Sequence, residues 1–183
     1  MSQQEKIKNI KSKIARDEMM VYFLSEGKFD ELMGYLFTDD KRLAEKTSWI
    51  LQHITDQYPE ILLPYCNVIV NGLPNYKTDG EKRFIMRYFN SQPLPEREKE
   101  LTLLMNYAFD WLMDPKEAIA QRAFAMTTLF FISERIPEIK NELKIVIEAQ
   151  TEFGSSGFKN RAKHILKKLE KSILLLENVK RKR

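Results

Sequence analysis

The chain has 183 residues, 43% of them hydrophobic, and a single cysteine, Cys66. Its length suits one domain of ordinary size, one cysteine cannot build an internal disulfide framework, and no apolar run approaches the roughly 20 residues that span a membrane. The N-terminal segment, MSQQEKIKNIKSKIARDE, carries too many charges for a secretory signal peptide. We therefore expect a single domain over residues 1–183 in a reducing, cytoplasmic compartment, without membrane contact.

The net charge of +4 is distributed unevenly along the chain. Residues 159–183 contain ten Lys or Arg against two Glu, a local balance of +8 that leaves −4 for the rest. The basic character therefore belongs to a C-terminal capping helix and tail, and the overall charge does not mark the whole molecule as a nucleic-acid binder.

Apolar residues recur at helical spacing along the chain, and no segment shows the strict alternation of a half-buried strand. The predicted helices lie over residues 3–24 (as one or two helices), 29–37, 41–56, 60–71, 81–90, 95–111, 114–150 (as an antiparallel pair) and 158–179. The first segment is expected to place Ile7, Ile10 and Ile14 on one face. Pro64 should kink or restart the helix in which it lies.

Two of the predicted helices begin at recognisable capping residues. Thr78 and Glu81 have the spacing of a capping box, in which each side chain bonds the backbone N–H of the other residue. Asp114 is a favourable N-cap, and Pro115 suits the first helical position because that N–H needs no partner. From residue 118 to residue 132 the only charged side chain is that of Arg122. A helix that is apolar on almost every side has to be enclosed by its neighbours.

Two series of residues recur with the same period. Arginines early in the first helix of a pair recur at a constant interval, at Arg83, Arg122 and Arg161. Pro-Glu pairs that are expected to open the second helices recur with the same mean interval, at 59–60, 95–96 and 137–138. The interval is about 39 residues, and a period of about 40 residues built from two helices is the signature of HEAT and armadillo repeats. The sequence therefore predicts an all-α fold, an αα-superhelix in which the recurring arginines stack neighbouring repeats.

The region that carries this pattern most clearly also resembles a known family. Residues 109–148, FDWLMDPKEAIAQRAFAMTTLFFISERIPEIKNELKIVIE, and residues 157–171, GFKNRAKHILKKLEK, are similar to small bacterial HEAT-like proteins of no established activity. The resemblance is weaker but in phase over residues 40–108. Many such proteins carry the name adenylosuccinate lyase, whose superfamily uses a Ser-Ser-x-Met-Pro-x-Lys-x-Asn loop. The nearest segment here, residues 154–160, lacks Met-Pro, so the resemblance implies the repeat fold and not lyase chemistry.

Few residue patterns in this sequence suit catalysis. His53 and His164 lie on different predicted repeats, and each fits a surface or half-buried imidazole. Cys66 lies in a mostly apolar helix, which favours a buried structural thiol. The sequence has no His/Cys cluster with zinc spacing, no HExxH and no phosphate-binding glycine loop. Two acidic pairs suit helix ends: Asp39 with Asp40, and Asp110 with Asp114. We therefore predict no metal, no cofactor and no enzymatic activity.

One enzymatic alternative is a HEAT-like DNA glycosylase, which recognises alkylated bases with aromatic residues and an aspartate in a concave groove. Trp49, Trp111, Asp110 and Arg122 are residues of the types that such a site needs. The arginine series is better explained by repeat stacking, however, and both tryptophans lie among apolar neighbours, which favours core packing.

The last predicted helix is the best candidate for binding. Six apolar residues are expected to form the face that packs on the preceding repeat: Ala162, Ile165, Leu166, Leu169, Ile173 and Leu176. Four lysines at i, i+4 spacing, hereafter the lysine stripe, form another face: Lys159, Lys163, Lys167 and Lys171. A basic tail, Lys180–Arg183, follows. Such a stripe can follow phosphates, but a terminal repeat also needs a polar outer face for solubility, and the simpler explanation is this cap.

These observations favour a non-enzymatic scaffold that binds another protein through a concave helical surface. The alternative is nucleic-acid binding through the basic C-terminal helix, and a more distant one is the glycosylase.

Overall fold

The computed structural model describes residues 1–181 of the chain and the side chains of residues 1–178, so the predicted basic tail at 180–183 lies outside the described side chains. Ten α-helices lie in this part: α1 (Gln3–Lys8), α2 (Lys13–Ser25), α3 (Phe29–Leu36), α4 (Lys41–Gln57), α5 (Cys66–Asn71), α6 (Asp79–Tyr88), α7 (Glu98–Met113), α8 (Ile119–Arg135), α9 (Lys140–Thr151) and α10 (Ser156–Arg181). Short 3₁₀ segments connect some of them, at Pro59–Tyr65, Leu73–Asn75 and Pro137–Ile139. No β-strand occurs within residues 1–181, which confirms the all-α prediction.

The chain divides into two compact units, residues 1–88 and residues 89–183. The first unit contains α1–α6 and the second contains α7–α10, and each is built around one long helix. That the two units make up one domain stays a prediction.

The first unit is organised around α4, which packs against α1, α2, α3 and α6. Leu43, Ile50 and Ile54 lie on the buried side of α4. The helix begins at Asp40, whose carboxylate accepts hydrogen bonds from the backbone N–H groups of Arg42 and Leu43. The bond from Leu43 is the main reason that the pKa of Asp40 is lowered from its ordinary value. The acidic pair in this segment therefore marks a helix start, as the sequence predicts.

Pro64 interrupts its helix as predicted. It lies in the 3₁₀ segment Pro59–Tyr65, and regular α-helix begins only at Cys66, the first residue of α5. Proline has no backbone N–H and its ring clashes with the preceding turn, so an α-helix cannot run through this position without distortion. The restarted helix ends at Asn71, which is also the predicted end.

The predicted capping box forms at the start of α6. Thr78 Oγ1 accepts a hydrogen bond from the Glu81 N–H at 3.3 Å, and Glu81 Oε2 accepts one from the Thr78 N–H at 2.9 Å. The Glu81 carboxylate is buried, and it also accepts hydrogen bonds from the Thr78 hydroxyl at 2.6 Å and the Lys77 N–H at 3.3 Å. These bonds compensate the carboxylate for the water that it loses on burial.

The second unit is organised around α8, which packs against α7, α9 and α10. Four of its apolar side chains are completely buried: Ala125, Met126, Leu129 and Ile132. Three neighbours of its own unit therefore cover one side of α8, but Ile119 and Phe131 are 37% and 38% exposed, so the helix is less enclosed than the sequence predicts.

The predicted start of this helix is wrong by about one turn. Asp114 does not cap α8, which begins at Ile119. The Asp114 carboxylate instead accepts a hydrogen bond from the Lys116 N–H at 2.8 Å, and its carbonyl accepts one from the Glu117 N–H at 3.2 Å. Asp followed by Pro115 suits the first two positions of a β-turn as well as it suits a helix start. The turn is what forms.

The Pro-Glu pairs do not open α-helices directly. The pairs at 59–60 and 137–138 begin 3₁₀ segments, and the pair at 95–96 precedes α7, which starts at Glu98. Arg97, immediately before α7, has an extended backbone with φ −74° and ψ 133°. The pairs therefore precede the second helices by a turn rather than forming their first residues.

Ile14 is another correction. Ile7 and Ile10 are buried as predicted, but Ile14 is 73% exposed. The three residues do not share one face because α1 ends at Lys8 and a separate helix, α2, begins at Lys13. A periodicity that crosses a helix break does not place residues on a common side.

We expect Thr78→Ala to lower the free energy of unfolding by about 1 kcal/mol, because α6 loses its N-cap and the buried Glu81 carboxylate loses a partner. Chemical denaturation measures this difference. Thr102→Ala is the matched control, since Thr102 is exposed within α7, and it should change the value by less than about 0.5 kcal/mol. Equal destabilisation by the two substitutions would contradict the capping role.

Candidate functional site

Polar side chains join residues that lie about one repeat apart in the sequence. Asn90 Nδ2 donates to Thr128 Oγ1 at 2.8 Å across 38 residues, and Arg135 Nη1 donates to the Pro95 carbonyl at 2.6 Å across 40 residues. Further hydrogen bonds across 34 to 38 residues join Arg42 with Lys8, Lys77 with Asp39, Arg161 with Ala123 and Ser172 with Glu134. Contacts at this separation are those that a helical repeat with a period of about 39 residues produces.

Arg122 is the most enclosed of the three recurring arginines, with 4% of its surface exposed. Its Nε donates to the Leu112 carbonyl at 3.1 Å, and its Nη2 donates to Gln150 Oε1 at 2.6 Å. The guanidinium carbon lies 5.4 Å from the centre of the Phe158 ring. From α8, this side chain therefore contacts α7, α9 and α10.

Arg161 makes a similar link from α10 back to α8. Its Nη1 donates to the Ala123 carbonyl at 3.1 Å and to Thr127 Oγ1 at 3.4 Å. The guanidinium carbon lies 4.9 Å from the centre of the Phe124 ring. Partial burial removes water from the charged group, and this desolvation lowers the pKa of Arg161.

Arg83 has a different environment from the other two arginines. It is exposed on α6, and the residues that follow it, Phe84, Ile85 and Met86, occupy the buried side of the helix. Equivalent positions in the sequence therefore differ in burial, and a stacking role for Arg83 stays a prediction.

A buried lysine that the sequence analysis missed joins three helices of the second unit. Lys140 is the first residue of α9, and its ammonium group donates to the Glu134 carboxylate of α8 and to the Ser172 hydroxyl of α10. One signal was present in the sequence, because Lys140 shares a helical face with the apolar residues Leu143 and Ile147. A lysine on an apolar face needs partners for its charge, and here two other helices supply them.

The lysine stripe lies on the exposed side of α10. All four of its members are exposed, and successive members are about 6 Å apart along the helix axis. An open groove of about 450 Å³ runs beside α10, hereafter the α10 groove. It is lined by Lys159, Lys163 and Lys167 together with Thr151, His164, Leu166 and Glu170. The structure thus places three of the four predicted lysines around one concavity and leaves Lys171 beyond it.

The α10 groove has an excess of positive charge. Its acidic residue, Glu170, has a carboxylate oxygen 3.4 Å from the ammonium nitrogen of Lys144 on α9. Among the described residues, no carboxylate forms an ion pair with Lys159, Lys163 or Lys167. A negatively charged ligand would therefore meet three solvated lysines that have no ion-pair partner among the described residues.

The candidates for catalysis lie apart from one another. His53 Nε2, on α4, is 3.2 Å from Asp17 Oδ1 on α2 and 3.1 Å from Gln57 Nε2 on α4. The contact with Asp17 joins the two helices. His164 is exposed at the α10 groove, and Cys66 is half-buried at the start of α5. Within the described part of the chain, no group of three or more His, Cys, Asp or Glu residues could hold a metal ion.

The two tryptophans that a glycosylase would use to recognise a base instead contact other side chains of the protein. Trp111 is buried in α7 and its ring packs edge-on against another aromatic ring. Trp49 is half-buried in the first unit, where the Arg16 guanidinium and the Lys46 ammonium lie 5.2 and 5.3 Å from its ring centre. Asp110 is exposed on α7. Burial of Trp111 prevents it from stacking on a base.

The repeat contacts agree with the result of comparing the chain with known families. A family model described as the HEAT repeat domain matches residues 2–169. The chain belongs to the HEAT repeat family. No curated protein and no solved structure matches it. Because HEAT repeats are helix pairs that stack on their neighbours, family membership confirms the predicted αα-superhelix class.

The family match covers most of the residues that line the α10 groove, including Lys159, Lys163 and Lys167. The match ends at residue 169, before Glu170 and Lys171. In the part of the chain that the structure describes, no helix combines the length and the apolar character needed to cross a membrane.

We expect Arg122→Ala to lower the free energy of unfolding by roughly 2–4 kcal/mol, because it leaves buried acceptors on α7 and α9 without a donor and removes packing. Arg83→Ala is the matched control from the same series of HEAT repeat positions. Since Arg83 is exposed, its loss should change the value by less than about 0.5 kcal/mol. Thermal or denaturant unfolding compares the two variants. Similar losses of unfolding free energy would show that the position in the repeat, and not the burial of the side chain, sets the size of the destabilisation.

Proposed function

We propose that this HEAT repeat protein is a non-enzymatic scaffold that binds another protein through a concave helical surface. Family membership supports the coarser part of this proposal, a scaffold of stacked helices. In the second unit, polar side chains such as Arg122 and Lys140 hold helices together. The surface that these contacts leave accessible is made of helix faces, which suit contact with another macromolecule.

The observation that carries the proposal is the exposed face of α7 and α9. These two second helices contact each other, and Ile145, in the middle of α9, is 65% exposed. On α9, exposed polar residues lie three or four positions from Ile145, on the same face of the helix: Asn141, Glu142 and Glu148. The neighbouring α7 also exposes polar residues, Thr102, Asn106 and Asp110. An apolar side chain surrounded by polar groups is the arrangement of a protein interface, in which an apolar centre has a polar rim.

The test is capture of a partner by tagged protein from the cells that express it, followed by chemical cross-linking. We expect cross-links to α7 and α9, and we expect Ile145→Glu to abolish capture because a charge replaces the apolar centre of the interface. Ile14→Glu is the matched control, since Ile14 is also exposed but lies on α2 of the first unit. If Ile145→Glu captures the partner as well as the parent protein does, the exposed face of α7 and α9 is not the binding surface.

A second candidate function is nucleic-acid binding through the lysine stripe. The observation in its favour is that all four lysines are exposed and three line one groove without an acidic partner among the described residues. Phosphates neutralised by lysines release bound counterions, so such binding weakens steeply as salt rises.

This candidate predicts salt-dependent binding of duplex DNA or single-stranded RNA that is lost in a variant with all four lysines replaced by Gln. If each lysine neutralises one phosphate of a duplex, the slope of log K against log salt should become less negative by about 3 to 4. A fluorescence titration across a salt series measures it. Equal binding of nucleic acid by the parent and the variant would show that the lysine stripe is not a nucleic-acid binding site. Replacing the side chains is preferable to deleting α10, because deletion would expose the core of α8.

A further inference from the structure

The α10 groove combines positive charge with accessible apolar surface. Leu166, among its three lysines, is half-buried and lines the groove. Leu174 follows Lys167 by seven residues, which is two helical turns, so it lies on the same face of α10. Its side chain is 58% exposed. A ligand along this face therefore meets lysines and leucines together.

A nucleic acid matches only part of this surface. A phosphate backbone gains little from the accessible surface of Leu166 or Leu174, because it has no apolar groups that could cover them. Among the seven residues that line the groove, His164 alone has an aromatic ring and none is Phe, Tyr or Trp, whereas binding of single strands relies on successive bases stacked on several aromatic side chains. The groove is thus better matched by a ligand that has both acidic and apolar groups.

We propose that the α10 groove binds an acidic, amphipathic helix of another protein. The lysines of α10 recur at intervals of about 6 Å along its axis, and acidic residues at i, i+4 on a helix lying alongside recur at the same spacing. The apolar side of that helix covers Leu166 and Leu174. This inference rests on the proposed function, because it gives a protein-binding scaffold a second, defined site and states the chemistry of the segment that fills it.

The charge around the groove supports an acidic partner. Residues 159–183 have a balance of +8, which attracts acidic segments and raises their rate of association. The Lys144 ammonium lies against Glu170, and this pairing offsets the one negative charge on the groove lining. The groove lining therefore carries three lysines against one carboxylate that is already paired with a lysine of α9.

The experiment uses a fluorescent synthetic helix of about five turns, with Glu on one side and Leu on the other. A peptide of the same composition in scrambled order, and a duplex DNA of similar length, are the comparison ligands. Fluorescence anisotropy across a salt series measures their binding to the full chain. We expect the amphipathic helix to bind at least about tenfold more tightly than the scrambled peptide or the DNA, with an affinity that falls as salt rises.

Two pairs of variants locate the binding. Lys163→Gln with Lys167→Gln should weaken binding about tenfold, because two charge pairs are lost. Lys99→Gln with Lys116→Gln is the matched control, since both of these lysines are exposed in the same unit and the change in charge is equal. Circular dichroism and thermal melting confirm that each variant remains folded.

An exposed apolar residue outside α10 supplies an equally close comparison. Leu174 lies on the lysine-bearing face of α10 and Val21 lies on α2 of the first unit, and both are 58% exposed. Leu174→Gln should weaken binding of the amphipathic helix severalfold, and Val21→Gln should leave it unchanged. Equal loss in both variants would show that general apolar surface, and not the face of the lysine stripe, attracts the peptide.

Any of four results overturns the inference: no binding of the amphipathic helix, equal binding of the scrambled peptide, tighter binding of the DNA, or equal losses in the lysine variant and its control. Capture of the natural partner separates this inference from the proposed function. If the amphipathic helix does not bind while Ile145→Glu abolishes capture of the partner, the groove is wrong and the protein-binding scaffold stands. If Ile145→Glu captures the partner as the parent does, the proposed function fails as well.

Discussion

A helix that is apolar on almost every side needs neighbours to cover it, and α8 imposes this requirement on the second unit. Ala125, Met126, Leu129 and Ile132 are fully buried in a helix that packs against α7, α9 and α10, whereas Ile119 and Phe131 are 37% and 38% exposed. Burial at this density also encloses polar groups, each of which needs a partner. The positions of those helices and the fate of the charged side chains between them follow from this single constraint.

Arg122 and Lys140 illustrate that consequence. Each is almost completely buried, and each is bonded to groups from other helices. An unpaired buried charge would be very costly, whereas a bonded one fixes which helices meet and in what register. A buried, bonded charge therefore serves the packing of the helices and is not accessible to a substrate. Of the arginine series, Arg122 and Arg161 bond to neighbouring helices, whereas Arg83 is exposed.

The parts of the fold that local physics decides were predictable from the sequence. Pro64 restarts its helix, Thr78 and Glu81 form their capping box, and the repeat period reappears in the hydrogen bonds. The errors arise where one local pattern allows two structures, as with the turn at Asp114, or where partners are distant in the chain. The contacts of Lys140 with Glu134 and Ser172 lie 6 and 32 residues away. The lysine stripe was visible in the sequence, but the α10 groove beside it depends on how α9 and α10 pack.

The surface of α10 differs from what solubility alone requires. A polar cap needs charged or polar residues over its exposed face and gains nothing from large aliphatic side chains in water. On α10, Leu174 and Leu175 are more than half exposed beside the lysine stripe, and three lysines border a concavity rather than a convex face. Like charges gathered at a concave surface repel one another, which destabilises the free protein slightly and favours any ligand that neutralises them. A binding role for the stripe stays a proposal, and its neighbouring leucines are the feature by which an amphipathic protein segment and a phosphate backbone would differ as ligands.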